Sequence, residues 1–179
     1  MIREPRLRSV PIRAVREPPL QRHRRSIRLR GWDYASPATY FVTVCTQDRV
    51  CLFGDIRGGE MHLNQMGAVV ANTWRWLADQ YPQVALDESC IMPNHLHGIL
   101  VIGGGTGPTM KPIGRLIGAF KTVSTKQINL LRQKTGAIVW QGNFWEHIIR
   151  DGDEMDRIAP TFAATPSDGR PTVTGRGGS

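Results

Sequence analysis

The strongest constraint on the fold is a pair of strand-like segments that flank Pro93-Asn94. The first segment is Val84–Met92, and the second is His95–Ile102 with the sequence HLHGILVI. Proline followed by asparagine predicts a turn or an irregularity between them. The apolar run after it has the length of a buried strand, and the glycine-rich residues 103–108 predict a flexible loop beyond it. The pattern therefore predicts two consecutive strands.

Apolar periodicity predicts the remaining elements. Residues 40–46 are rich in β-branched and aromatic side chains and predict a buried strand. Gly58-Gly59 predicts a small hairpin over residues 57–64. Helical stripes predict helices over residues 67–80 and 112–134, and Trp140 together with residues 144–150 predicts a final strand. The order strand, helix, strand, strand, helix, strand predicts an α+β, ferredoxin-like split β-α-β fold with an antiparallel sheet and helices on one face.

The net charge of +8 is concentrated in the first thirty residues. Residues 1–30 contain ten arginines and two glutamates, whereas the rest of the chain carries 13 basic and 13 acidic side chains. We expect a basic, disordered arm at residues 1–30, one domain at residues 31–158, and a Gly-, Pro- and Thr-rich disordered tail at residues 159–179. The arm either contacts DNA phosphates or is a solvated tail or the product of a misplaced start codon.

Basic side chains give candidate DNA contacts in two places. In the arm they are Arg24, Arg25, Arg28 and Arg30, and along the second predicted helix they are Arg115, Lys121 and Lys126. A solvated charged face is the ordinary alternative for the helix.

The cell compartment is predicted from what the sequence lacks. Residues 1–30 hold no apolar stretch of the secretory type, and no apolar run is long enough for a membrane span. Cys45, Cys51 and Cys90 are odd in number and form no CxxC pair, which favours reduced thiols. We expect a cytoplasmic protein with no membrane partner.

His95 and His97 are the strongest candidates for a functional site. Side chains alternate along a strand, so both imidazoles lie on one face. Such a pair can hold one divalent ion that polarises a phosphoryl oxygen, with two ordinary histidines as the alternative. His147 in the last strand either approaches the pair across the sheet or is a surface or hydrogen-bonded histidine. Trp140 and Trp145 are expected in the core, with base stacking as the alternative.

The segment MPNHLHGILVI at residues 92–102 closely resembles the signature of the IS200/IS605-like transposases, particularly the REP-associated tyrosine transposases. Further blocks resemble that group in the same order, and together they cover about residues 24–158. These blocks lie at residues 24–34, 40–60, 86–88, 118–121 (GAFK) and 139–151 (VWQGNFWEHIIRD).

The resemblance implies a ferredoxin-like fold, a homodimer and hairpin-forming single-stranded DNA as the partner, in the bacterial cytoplasm near the nucleoid. It also implies DNA transposition by cutting and rejoining. His95 and His97 match the family's histidine pair, which holds Mg²⁺ or Mn²⁺ together with a polar side chain. A tyrosine on a C-terminal helix then attacks the phosphate, forming a phosphotyrosine link that conserves the bond energy.

The family tyrosine is missing from its place. Residues 153–158 begin the expected helix, but Thr161 stands where the tyrosine is expected, Thr165 where an asparagine is expected, and Pro160 would break the helix. Tyr34, Tyr40 and Tyr81 lie in or before other elements, and we do not expect them to replace the family tyrosine.

The codons from position 160 onward, read one base early, can encode the family's tyrosine, isoleucine, asparagine and proline. We therefore hypothesise that a single-base frameshift near residues 159–160 replaced the catalytic end with an unrelated tail.

Three functions are compatible with the sequence. The first is a transposase of the histidine-pair type that is defective in cleavage. The second is a non-catalytic DNA-binding remnant or regulator, and the third is a ferredoxin-like protein with a structural or sensory metal site and no nucleic acid partner.

Overall fold

The computed structural model of the protein describes residues 36–103 and 111–158. The predicted basic arm with Arg24, Arg25, Arg28 and Arg30 lies outside the described residues, as does the predicted tail with Thr161. The six strands, three helices and one 3-10 turn of the described segments are β1 (Ala38–Cys45), the 3-10 turn (Gln47–Arg49), β2 (Gly54–Arg57), β3 (Glu60–Leu63), α1 (Gln65–Gln80), β4 (Val84–Met92), β5 (His95–Ile102), α2 (Ile113–Leu131), β6 (Trp145–Ile149) and α3 (Gly152–Ile158).

The main sheet has four strands in the order β4-β5-β1-β6, and all its neighbours are antiparallel. The helices α1 and α2 follow β1 and β5, so the chain has the predicted strand, helix, strand, strand, helix, strand order. The α+β ferredoxin-like prediction is therefore confirmed. The small hairpin β2–β3 forms a separate sheet between β1 and α1.

The face of the main sheet that packs against α1 and α2, here called the helical face, holds the main core. Its strand residues are fully or almost fully buried, and they are Tyr40, Val42, Val44, Leu96, Leu100 and Ile102. From the helices they meet Trp74, Leu77, Leu116 and Phe120. Gly98 also lies in this layer. A side chain does not fit there, because a methyl group would be only 2.3 Å from Cζ2 of Trp74.

The opposite face of the main sheet, here called the open face, carries the alternate strand residues Phe41, Thr43, His95, His97 and Ile99. A small second core forms on it from Phe41, Cys90, Ile99 and Ile149, with Met155 and Ile158 of α3 packed against them. The sequence predicted two helices on one face, and α1 and α2 are those helices. The short α3 adds a third helix on the other face.

The observed element boundaries differ from the predicted ones where local capping interactions compete with apolar periodicity. The amide oxygen of Asn64 accepts hydrogen bonds from the backbone of Met66 and Gly67, so α1 begins at Gln65. Gln133 adopts a left-handed conformation (φ 51°), so α2 ends at Leu131 before the predicted residue 134. Trp140 lies outside the last strand and forms an isolated bridge with Thr46.

Within residues 36–103 and 111–158, none of the helices combines the length and the apolar character that crossing a bilayer requires. Cys45, Cys51 and Cys90 are all free thiols, as expected.

Candidate metal centre

The turn that precedes His95 is held by the chain that follows β1. The carbonyl oxygen of Pro93 accepts hydrogen bonds from the backbone N–H groups of Leu52 (2.8 Å) and Phe53 (3.0 Å). The carbonyl oxygen of Asn94 accepts from the backbone N–H (2.9 Å) and the hydroxyl (3.0 Å) of the buried Thr46. Four hydrogen bonds therefore fix the start of β5, and with it the two histidines.

The imidazoles of His95 and His97 converge on one point of the open face. Their Nε2 atoms lie 3.0 Å apart. Each ring is held from behind through its Nδ1 atom, which lies 2.7 Å from Oδ1 of Asn94 in His95 and 2.8 Å from Oγ1 of Thr43 in His97. The ring of Phe41 stacks on His97 at a centroid distance of 5.4 Å. Hydrogen bonds to the distal nitrogen are how proteins usually orient metal-binding histidines.

Burial favours the neutral form of both imidazoles. Partial burial, with a smaller contribution from the neighbouring His95, lowers the pKa of His97 to about 4. Burial also lowers the pKa of His95, with a smaller contribution from the positive charge of Arg49. Neutral imidazole is the form that binds a metal, so the pair does not have to lose charge before it coordinates an ion.

The donor set fits an ion held by two histidines. No group of three His, Cys, Asp or Glu residues with metal-binding spacing occurs in the described parts of the chain. An ion held by this pair would therefore have two nitrogen ligands and would leave its other positions to solvent, substrate or residues outside those parts. Two-ligand sites with open positions suit an ion that must contact a substrate.

His147 lies on the open face but does not join the pair. It is two strands away from β5, because β1 lies between β5 and β6. Its Nε2 atom is 3.6 Å from a carboxylate oxygen of Glu154 in α3, and its ring stacks on Trp145 at a centroid distance of 5.9 Å. The surface alternative of the sequence analysis therefore describes His147 better than metal binding.

The two candidate tryptophans have different environments. Trp140 is in the core as expected, and its indole N–H donates to the hydroxyl of Ser124 at 2.9 Å. Trp145 is 42% exposed and lies on the open face, opposite Thr43 in the sheet register. The expectation of a core position was therefore wrong for Trp145.

Arg49 is a candidate that the sequence analysis missed. It is exposed, and it and Asp48 both have left-handed backbone conformations (φ 56° and 54°), which are uncommon for residues with side chains. The carbonyl oxygen of Arg49 accepts a hydrogen bond from the side-chain amide of Asn94 at 3.2 Å, so this turn is tied to the residue that orients His95. The only available signal was its place in the block at residues 40–60.

The predicted basic contacts on α2 are not gathered at the histidines. Arg115 and Lys126 are exposed on α2, which packs against the helical face, so they lie on the other side of the sheet. The ammonium of Lys121 turns inward and donates to the carbonyl oxygens of Gln141 (2.8 Å) and Asn143 (3.0 Å). Burial lowers the pKa of Lys121 to about 8. The DNA-binding role of these residues stays a prediction.

The two tyrosines of the described segments are remote from the histidines. Tyr40 is fully buried in the core of the helical face, and Tyr81 packs against the same core at the end of α1. Neither phenol is on the open face, which agrees with the expectation that they do not replace the family nucleophile. Thr161 and Tyr34 lie outside the described residues.

Two proteins of Haemophilus influenzae are similar to this chain in sequence. No family model matches the sequence. An uncharacterized protein of Haemophilus influenzae is 40% identical over 148 residues, which cover 72% of this chain and 80% of that protein. A candidate REP-associated tyrosine transposase of the same organism is 27% identical over 129 residues, which cover 69% of this chain and 66% of that protein.

Two solved structures are similar at a TM-score of 0.49. One is a REP-associated tyrosine transposase bound to a REP hairpin, 18% identical, with 69% of this chain and 67% of that chain covered. The other is a candidate transposase from Deinococcus radiodurans, 14% identical, with 78% and 98% covered. The resemblance to a family is therefore judged from the 27% identical sequence relative and from the motif blocks around the histidine pair, and not from these two structures. On this evidence the chain is similar, at low sequence identity, to the REP-associated tyrosine transposases of the IS200/IS605-like family.

Proposed function

We propose that the protein binds hairpin-forming single-stranded DNA, holds Mg²⁺ or Mn²⁺ on His95 and His97, and is defective in strand cleavage. The observation that carries the metal site is the convergence of two neutral imidazoles, whose Nε2 atoms are 3.0 Å apart on the open face. Similarity to a REP-associated tyrosine transposase supports DNA as the partner and transposition as the ancestral process. A homodimer is part of the same proposal.

The described residues supply binding and orientation. His95 and His97 provide the two nitrogen ligands, while Asn94 and Thr43 fix the planes of their rings from behind. A bound divalent ion would polarise a phosphoryl oxygen of the DNA backbone. Arg49, whose positive charge acts on His95, adds a cation that attracts the same phosphate.

The positions of the two described tyrosines support the proposed cleavage defect. An attack at phosphorus requires a hydroxyl beside the metal, and both Tyr40 and Tyr81 are on the helical side of the sheet. At the place of the family tyrosine the sequence has Thr161. A threonine hydroxyl without an adjacent base is a weak nucleophile, so we propose that no covalent protein–DNA link forms. Sequencing the coding DNA around residues 159–160 tests the frameshift: a reading frame that does not restore the tyrosine pattern after a one-base shift contradicts it.

The function is tested with the full chain and a labelled single-stranded DNA in which a hairpin is followed by an unpaired flank. We expect a gel shift at low salt that disappears at high salt, because phosphate contacts dominate such binding. With Mn²⁺ we expect no cleaved strand and no adduct that survives denaturing electrophoresis. A His95→Gln, His97→Gln double variant is the matched control for metal-dependent binding.

Each alternative gives a different result in the same experiment. Robust cleavage with a covalent adduct would show that the protein retains a nucleophile, and the defect would be rejected. Metal binding without any DNA shift at low salt would instead favour a structural or sensory metal site.

A further inference from the structure

The hydrogen bonds behind the two histidines differ in kind. The side-chain amide of Asn94 donates from Nδ2 to the carbonyl oxygen of Arg49 at 3.2 Å, so its Oδ1 atom is the one that faces His95. An amide oxygen only accepts hydrogen bonds. The proton of neutral His95 must therefore be on Nδ1, and its Nε2 atom presents a lone pair.

This assignment determines the proton of His97 as well. The two Nε2 atoms are 3.0 Å apart, which is a hydrogen-bond distance, and that of His95 is the acceptor. Neutral His97 must then carry its proton on Nε2 and donate it to His95. Its Nδ1 atom is an acceptor, and the hydroxyl of Thr43 donates to it at 2.8 Å. Without a metal, the pair thus consists of two different tautomers.

A metal ion between the two Nε2 atoms requires a lone pair on both. His95 already has one, but His97 must change tautomer: its Nε2 proton leaves to solvent and its Nδ1 atom takes a proton from solvent. No net proton is lost. A hydroxyl can donate or accept, and Thr43 is half-buried, so its proton can turn to solvent while its oxygen accepts from the new Nδ1–H.

We propose that Thr43 is a positioning residue whose hydroxyl reverses its hydrogen bond so that His97 can change tautomer and accept a metal ion. This inference deepens the proposed metal function and depends on it. The position is favourable because Thr43 is directly opposite His97 in the register of β1 and β5, and Phe41 stacks on the ring and keeps its plane. Asn94 cannot reverse its bond, so the two histidines have unequal roles.

The proposal is tested first by nitrogen NMR of the full chain labelled at histidine. In metal-free protein we expect His95 with its proton on Nδ1 and His97 with its proton on Nε2. With Zn²⁺ as a diamagnetic probe, both protons should be on Nδ1. A His97→Gln variant assigns the signals. Finding both histidines as the same tautomer in the metal-free protein would overturn the proposal.

Metal affinity gives the second readout, with free Mn²⁺ measured by electron paramagnetic resonance. Thr43→Val keeps the shape but removes the hydroxyl, and we expect its affinity for Mn²⁺ to fall by about tenfold or more. Thr43→Ser should retain the wild-type affinity. Thr39→Val is the matched control, because Thr39 is four residues earlier on the same face of β1 and should leave the affinity unchanged. Thermal melts followed by circular dichroism confirm that each variant is folded.

The possible failures are distinguishable. If the wild-type protein binds Mn²⁺ and a folded Thr43→Val variant binds it equally well, the role of Thr43 is rejected and the metal function stands. If the wild-type protein binds no Mn²⁺, the proposed metal function and this inference are both rejected.

Discussion

The two faces of the sheet are built from alternate residues of the same strands, yet they differ in almost every physical respect. On the helical face, Val42, Leu96 and Leu100 are completely buried against α1 and α2. On the open face, Thr43, His95 and His97 are only half-buried, and the short α3 covers a different part of that surface. In β5, neighbouring residues such as His97 and Gly98 therefore lie on opposite faces, in different environments.

The difference separates stability from chemistry. Burial of apolar area is the main source of folding free energy, and the helical face contains most of it. The open face instead partly buries polar side chains. Such groups must be hydrogen-bonded where they are buried, and they tolerate partial exposure. Substitutions on the helical face should therefore change unfolding, whereas substitutions on the open face should change binding.

The largest expected effect comes from adding one carbon to the helical face. Gly98→Ala would place a methyl group 2.3 Å from the ring of Trp74, and that ring is buried and cannot move away easily. Overpacking of this kind reaches about 3 kcal/mol of destabilisation. Urea unfolding followed by tryptophan fluorescence measures the free energy of unfolding.

The same substitution in α2 should have the opposite sign. At Gly118, which is exposed, an added methyl group meets nothing within 4 Å. Gly118→Ala should stabilise the protein by about 0.5–1 kcal/mol because alanine favours the helix. If Gly98→Ala were as stable as the wild type, the close packing of the helical face against β5 would be refuted.

A smaller effect is expected where the two faces meet. Lys121 extends from α2 to the carbonyl oxygens of the loop that leads into β6. Lys121→Met removes this donor, and we expect a loss of about 1 kcal/mol because the partly buried carbonyls lose their partner. Lys126→Met, at an exposed site of the same helix, should change stability by less than about 0.5 kcal/mol. Equal effects of the two substitutions would show that the loop does not depend on Lys121.

Local patterns predicted the parts of the site that depend on one strand. Alternation placed His95 and His97 on one face, and the confirmed fold followed from the order of elements. The partner of His97 could not be found this way, because Thr43 is opposite it only through the register of β1 with β5. The environment of the basic residues on α2 also could not be predicted without the tertiary structure. Lys121 has the same periodicity as a solvated lysine, but its side chain turns inward to a loop twenty residues later.

The smallest expected effect is a pH dependence of stability that originates on the open face. The pKa of His97 is lowered from 6.5 to about 4 by burial and by His95, so the folded protein favours the neutral ring. The unfolded chain takes up a proton near pH 6.5, and the stability associated with neutral His97 is therefore complete above that pH and lost as pH falls toward about 4. One pKa unit corresponds to about 1.4 kcal/mol, but partial exposure screens the effect.

From about pH 7 to about pH 5 we expect a loss of less than about 1 kcal/mol, measured as the difference between the wild type and His97→Gln. His62→Gln, at an exposed site of β3, should follow the wild-type slope. A His97→Gln variant with the same acid slope as the wild type would contradict the lowered pKa, and it would remove the argument that His97 is neutral in the folded protein.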